Sequence, residues 1–183
     1  VLKSRLEKQK IMMMEIEEII NSLYKDKKEL KNREDELNKI RAQKNKSTSG
    51  NFAKMKGRLS WPTEGKIVSK FGIQSNSKLN TLYENIGVDI QTIPNAPVYS
   101  VLDGVVSSIT FIRDFGNVII IDHGEGYYTV YSNIDNIQVN ENDYIDIKNK
   151  IANVTTNQSN QFILHFEVWG NQQKLDPQIW LSK

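Results

Sequence analysis

The chain has 183 residues, 38% hydrophobic and 25% charged, with a mean hydropathy of −0.51 and a net charge of +2. That suits one modest core plus a more polar segment, and no window holds the uninterrupted apolar run of a membrane span. The absence of cysteine excludes disulfides, thiolate metal sites and a cysteine nucleophile.

Charge is unevenly spread. Residues 1–58 hold 16 Lys and Arg against 9 Asp and Glu, whereas residues 59–183 hold 8 against 13. A +7 arm raises the question of nucleic acid. Acids interleave with its lysines and aromatics are scarce, which marks a solvated helix face, so no nucleic-acid partner is expected. In the arm, apolar residues recur at Leu2, Leu6, Met13, Ile16, Ile20, Leu23, Leu30 and Leu37, with Gln9, Lys27 and Glu34 in the intervening seam positions. Steps of three and four over roughly five heptads predict a coiled-coil helix at residues 1–46, one part of a longer element. The alternative is a single amphipathic helix packed on its own domain. The polar run Lys44–Gly50 predicts a linker at residues 47–58, in which Phe52 and Met55 are candidates to anchor a short segment. The opposite charges of arm and domain also raise the idea that the arm covers the domain until pulled away.

From residue 59 the period changes. Runs rich in Ile, Val and Tyr predict strands near Ile67–Phe71, Gly87–Gln91, Pro97–Val101, Val105–Ile112, Val118–Asp122, Tyr128–Tyr131, Ile145–Ile147 and Ile163–Trp169. His123-Gly124-Glu125-Gly126 reads as a hairpin turn. Residues 59–183 are therefore expected to be all-β, a sandwich or barrel, with Trp180 and Leu181 tucked into the core. In the last strand, period-2 geometry puts Ile163, His165 and Glu167 on one face and Phe162, Leu164, Phe166 and Val168 on the other. His165 beside a carboxylate is either a ligand or base, or a core histidine with a hydrogen-bond partner.

Several blocks stand in a familiar order: Trp61-Pro62, Gly65, Phe71-Gly72, Gly87-Val88-Asp89-Ile90, Pro97-Val98-Tyr99-Ser100 and Asp103-Gly104-Val105-Val106. Gly116 to Gly124, Tyr127 to Tyr131, Leu164-His165-Phe166-Glu167 and Asp176-Pro177 follow. Together they resemble the LytM domain of M23 zinc peptidases, which cut cross-bridges in bacterial cell walls. The resemblance implies a zinc site built from His-x-Gly-x-Asp and from the second histidine of a late His-x-His, with an open position for water. It also implies two further histidines that orient the water and stabilise the developing oxyanion.

Carried over by position, the first ligand slot is Asn85, the second is Asp89 and the third is His165. The two catalytic-histidine slots hold Asn133 and Ile163. An Asn carbonyl is a hard neutral oxygen that cannot replace imidazole for zinc, Asn133 cannot shuttle a proton, and Ile163 cannot hydrogen-bond. No zinc cofactor and no catalysis are expected, and Asn85, Asp89 and His165 become vestigial ligand positions. His123, between a strand and a glycine, is expected to bond backbone.

A metal-free LytM domain behind a coiled coil resembles the EnvC-type murein hydrolase activators. That resemblance implies binding and release of an N-acetylmuramoyl-L-alanine amidase through the groove, and docking of the coiled coil on a division-linked ABC-transporter-like membrane complex. Peptidoglycan itself is a further candidate partner. The expected partner groove holds Ile86, Val88, Asp89, Tyr131, Asn133, Ile163, His165 and Trp169, of which at most half of the Ile86–Asp89 run can face it. A periplasmic or envelope location is expected, with a signal peptide absent from this fragment, which opens on Val1 rather than Met. The rival readings are a zinc endopeptidase that recruits its missing ligand from Glu84, His123 or a partner chain, a wall-binding scaffold, and an inactive partner of an active peptidase.

Overall fold

The computed structural model describes residues 2–48, 51–76 and 81–183. The chain divides into two units, Val1–Ile40 and Arg41–Lys183. Helix α1 (Leu2–Thr48), which makes up the first unit and ends in the second, is continuous, as expected of a stretch without Pro or Gly. Leu6, Met13, Ile16, Ile20, Leu23 and Leu30 of the seam are all exposed. No helix of the described residues is long and apolar enough to cross a membrane.

In the second unit, α2 (Asn51–Lys54) is followed by β1 (Lys66–Ser69), β2 (Gly72–Asn76), β3 (Thr81–Asn85), β4 (Val88–Gln91), β5 (Pro97–Tyr99), β6 (Gly104–Ile112) and β7 (Gly116–Gly124). Then come β8 (Tyr127–Asp135), β9 (Tyr144–Ile145), β10 (Lys150–Val154), β11 (Ile163–Gly170), β12 (Gln173–Leu175) and the single turn α3 (Pro177–Trp180). All eight expected strands are present, with β8 running well past Tyr131. The expectation missed β2, β3, β10 and β12. The β2–β3 ladder is a two-stranded sheet of its own whose Ile73 and Leu82 are three-quarters exposed, so no buried face imposes an alternating pattern.

The main sheet is antiparallel and runs β1-β4-β11-β8-β7-β6-β9, with β10 bridging β8 and β5, and β12 on the edge of β11. Its inner face carries Val88, Ile90, Ile119, Ile121, Tyr131, Leu164, Phe166 and Val168, all wholly buried with Val98, Ile151 and Val154. Trp180 and Leu181 close the core as the sequence indicated. Leu59 pairs with Leu181 in a parallel bridge, and Trp61 Nε1 donates to the Ser182 carbonyl at 2.9 Å.

Residues 51–58 are not a linker in the sense expected. Phe52 is 2% exposed, its ring 4.9 Å from those of both His123 and Tyr127 and 5.2 Å from that of Trp180. Met55, half-buried, packs on the same cluster. Phe52 and Met55, the two anchor candidates of this segment, are both engaged, Phe52 in the core itself.

Candidate functional site

Register builds the site. Strand β11 lies between β4 and β8, with His165 opposite Asp89 on one side and Ser132 on the other. The Asn85–Asp89 turn enters β4 past Gly87, where a Cβ would run into the carbonyl of Phe166. Only glycine allows that approach. Gly87→Ala should therefore cost roughly 1–3 kcal/mol in denaturant unfolding, since backbone rather than a flexible side chain must yield.

Within this frame the polar groups form one chain. His165 Nδ1 donates to Asp89 Oδ1 at 2.7 Å, and Nε2 lies 3.3 Å from Glu167 Oε1, at ion-pair range but without hydrogen-bond geometry. Glu167 Oε2 accepts from Trp169 Nε1 at 2.7 Å. At the other end, Asn85 Nδ2 donates to Ser69 Oγ at 2.8 Å and to Asp89 Oδ2 at 3.3 Å, while its Oδ1 accepts from the Gly87 N–H. Burial by itself would lower the His165 pKa. The hydrogen bond to Asp89, the proximity of Glu167 and both carboxylate charges outweigh it and raise it to about 9, so the ring is an imidazolium at neutral pH.

Asn133 has a structural task. It sits where β8 changes partner, from β11 at Ser132 to β10 at Ile134. Its φ of +64° is in the left-handed region, which Asn tolerates better than most residues. Its Nδ2 donates to the carbonyls of Ile163 at 2.6 Å and Thr155 at 3.1 Å, and its N–H donates to that of Phe115 at 2.7 Å. Ile163 is half-buried beside it.

These groups floor a groove of two lobes that share Ile86 and Phe115. The smaller, about 280 Å³, is lined by Asn85, Asp89, Asn133, Ile163 and His165, with Tyr83, Glu84, Asp114 and Asn157. The larger, about 800 Å³, lies on the outer face of β7, β8 and β11 against Ile112, Val118, Ile120, Tyr128, Val130, Ser132, Glu167 and Trp169. Two expected groove residues lie elsewhere. Val88 and Tyr131 are fully buried on the core face; the Tyr131 hydroxyl accepts from the Val101 N–H at 3.1 Å and its ring packs on Phe166. Alternation gives their groove places to Ile86, Val130 and Ser132. Of the large lobe the expected groove includes only Ile86 and Trp169, although Val118-Ile119-Ile120-Ile121 is apolar at every position, as a strand covered on both faces would be.

His123 stands apart from the groove in the core, its Nδ1 at 2.8 Å from the Asp103 carbonyl and its Nε2 at 2.8 Å from Thr129 Oγ1. It bonds backbone as expected, within β7 rather than in the turn. Burial lowers its pKa to about 4, against the opposing backbone hydrogen bond. Glu84 lines the small lobe, but His123 is remote from it. Among the described residues no three His, Asp, Glu or Cys side chains converge as a metal ion would require.

An antiparallel β-domain with a groove across its sheet, its floor carrying Asp89 and His165 in register, defines the class. The chain belongs to peptidase family M23, whose model matches residues 83–177. Among curated proteins it is 30% identical over 124 residues to the murein hydrolase activator NlpD of Escherichia coli, covering 67% of this chain and 31% of that one. It is 28% identical over 119 residues to the cell division protein DipM of Caulobacter vibrioides, covering 64% and 19%. The chain thus spans less than a third of either relative. Among solved structures, a zinc-containing peptidase from Vibrio cholerae superposes with a TM-score of 0.59 at 27% identity, covering 67% of this chain and 40% of that one. The SpoIIQ–SpoIIIAH pore-forming complex gives a TM-score of 0.60 at 20% identity over 70% of this chain and 93% of that one, a likeness of fold.

Proposed function

We propose that this protein is a non-catalytic murein hydrolase activator whose groove binds an N-acetylmuramoyl-L-alanine amidase and favours the amidase's open state by differential affinity. It would act at the cell envelope in wall remodelling and cell separation. The observation that carries this reading is the run of polar contacts through Asn85, Asp89, His165, Glu167 and Trp169. The amide oxygen of Asn85 is turned to the Gly87 N–H and its nitrogen to Asp89, so the slot that should offer imidazole to zinc offers a hydrogen-bond donor instead. That donor set fits zinc poorly. Asn133 and Ile163 supply no proton-transfer group, which speaks against catalysis. The likeness to NlpD supports the activator role, that to the cell division protein DipM the part in cell separation, and lipoprotein relatives such as YgeR of Escherichia coli the envelope location. The exposed seam of α1 supports a coiled-coil arm, which we assign to docking on a division-linked ABC-transporter-like membrane complex.

Dye release from labelled peptidoglycan by a cognate amidase should rise at least tenfold when this protein is added, while the protein alone releases nothing. Metal analysis should return well under one zinc per chain. The likeness to the Vibrio cholerae zinc-containing peptidase keeps one rival reading, an altered zinc endopeptidase. Stoichiometric zinc together with cleaved cross-bridges would establish that rival instead.

A further inference from the structure

The two groove lobes have an uneven chemistry. The larger is walled by aliphatic and aromatic side chains, with Phe115, Ile120 and Trp169 spread along it. The smaller holds Glu84, Asp89 and Asp114, and Glu167 lines the larger beside them. Among the described lining residues there is no Lys or Arg in either lobe. His165 is the one cation, and it stands between Asp89 and Glu167, at 2.7 and 3.3 Å, so its charge is already matched. Glu84 and Asp114 are exposed, and Asp114 is met by the neutral amide of Gln158 at 3.3 Å. Two carboxylates thus face the end of an apolar trough, with no Lys or Arg lining it among the described residues.

From this we infer that the groove takes a protein segment that is apolar along its length and carries Lys or Arg at one end, and that it disfavours peptidoglycan stem peptides. The apolar trough holds the side chains of an amphipathic helix or loop, and the low-dielectric walls focus the field of Glu84 and Asp114 on the cation that follows. A stem peptide brings little apolar surface and more carboxylates than ammonium groups, so its net charge is repelled by the acidic lobe. The inference deepens the partner-groove reading above and rests on it.

The test uses the full chain and short leucine–alanine peptides labelled with a neutral fluorophore, ending in either Lys-Arg or Glu-Glu, alongside a labelled stem tetrapeptide. In fluorescence anisotropy at low salt, the basic peptide should bind roughly tenfold tighter than the acidic one. The gap should close at high salt and in the double variant Glu84→Gln/Asp114→Asn, both surface changes. Equal or tighter binding of the acidic peptide or the stem tetrapeptide would overturn the inference, as would a gap that survives in the double variant. Amidase activation separates this from the broader reading. If wild type activates and the double variant activates equally well, the charge assignment falls and the partner groove stands. If wild type fails to activate while the peptide preference holds, the amidase reading falls and the groove chemistry stands.

Discussion

Thermal stability should peak near pH 6.5 and fall on both sides, because the two histidines are shifted in opposite directions. His165 is raised to about 9 in the folded domain, against an unfolded value near 6.5. Its contribution is fully present below pH 6.5 and is lost as pH rises through 9. His123 is lowered to about 4, so the unfolded chain binds the extra proton first. Its contribution is fully present above pH 6.5 and is lost as pH falls through 4. Each limb is worth on the order of 3 kcal/mol, roughly 10 °C in Tm for a domain of this size. Scanning fluorimetry from pH 4 to 9.5 reads both limbs. His165→Gln should flatten the alkaline limb and leave the acidic one. A Tm that holds steady or climbs between pH 6.5 and 9 would show that His165 is not the paired imidazolium described above.

The second large effect concerns Phe52. Replacing it with Ala should cost roughly 3–5 kcal/mol, because the ring fills a pocket between His123, Tyr127 and Trp180 that the surrounding strands cannot collapse into. That is about a fifth or more of the stability typical of a domain. Trimming the chain to begin at Leu59 should do at least as much harm, whereas Phe52→Leu should cost about half as much. Urea unfolding followed by circular dichroism measures all three. Opening the pocket also wets His123, so Phe52→Ala should shrink the acidic limb of the pH profile while leaving the alkaline limb in place. A trimmed domain as stable as the full chain would place Phe52 outside the cooperative unit.

Much of the fold was legible in the chain, for identifiable reasons. Runs rich in Ile, Val and aromatic residues announce themselves, which is why β4, β6, β7, β8 and β11 were legible. The β2–β3 ladder buries neither face, and its Gly-Ile-Gln-Ser-Asn and Thr-Leu-Tyr-Glu-Asn carry no periodic signal. At the site, Asn85, Asp89, Asn133, Ile163 and His165, far apart in the chain, line one lobe. Val88 and Tyr131 were assigned to the groove because a motif supplies neighbours but not the direction in which a side chain points.

The amino-acid sequence by itself determined the mostly-β character of residues 59–183 and the long helix before them. These follow from residue type and spacing, which local geometry and side-chain chemistry translate directly. Tertiary structure alone decided that Phe52 belongs to the core, that Asn133 ties β8 to β10 and β11, and that an apolar trough adjoins an acidic lobe. Each of those depends on which strands become neighbours and in what register, and long-range pairing is set by the packing of the whole sheet rather than by any stretch within it.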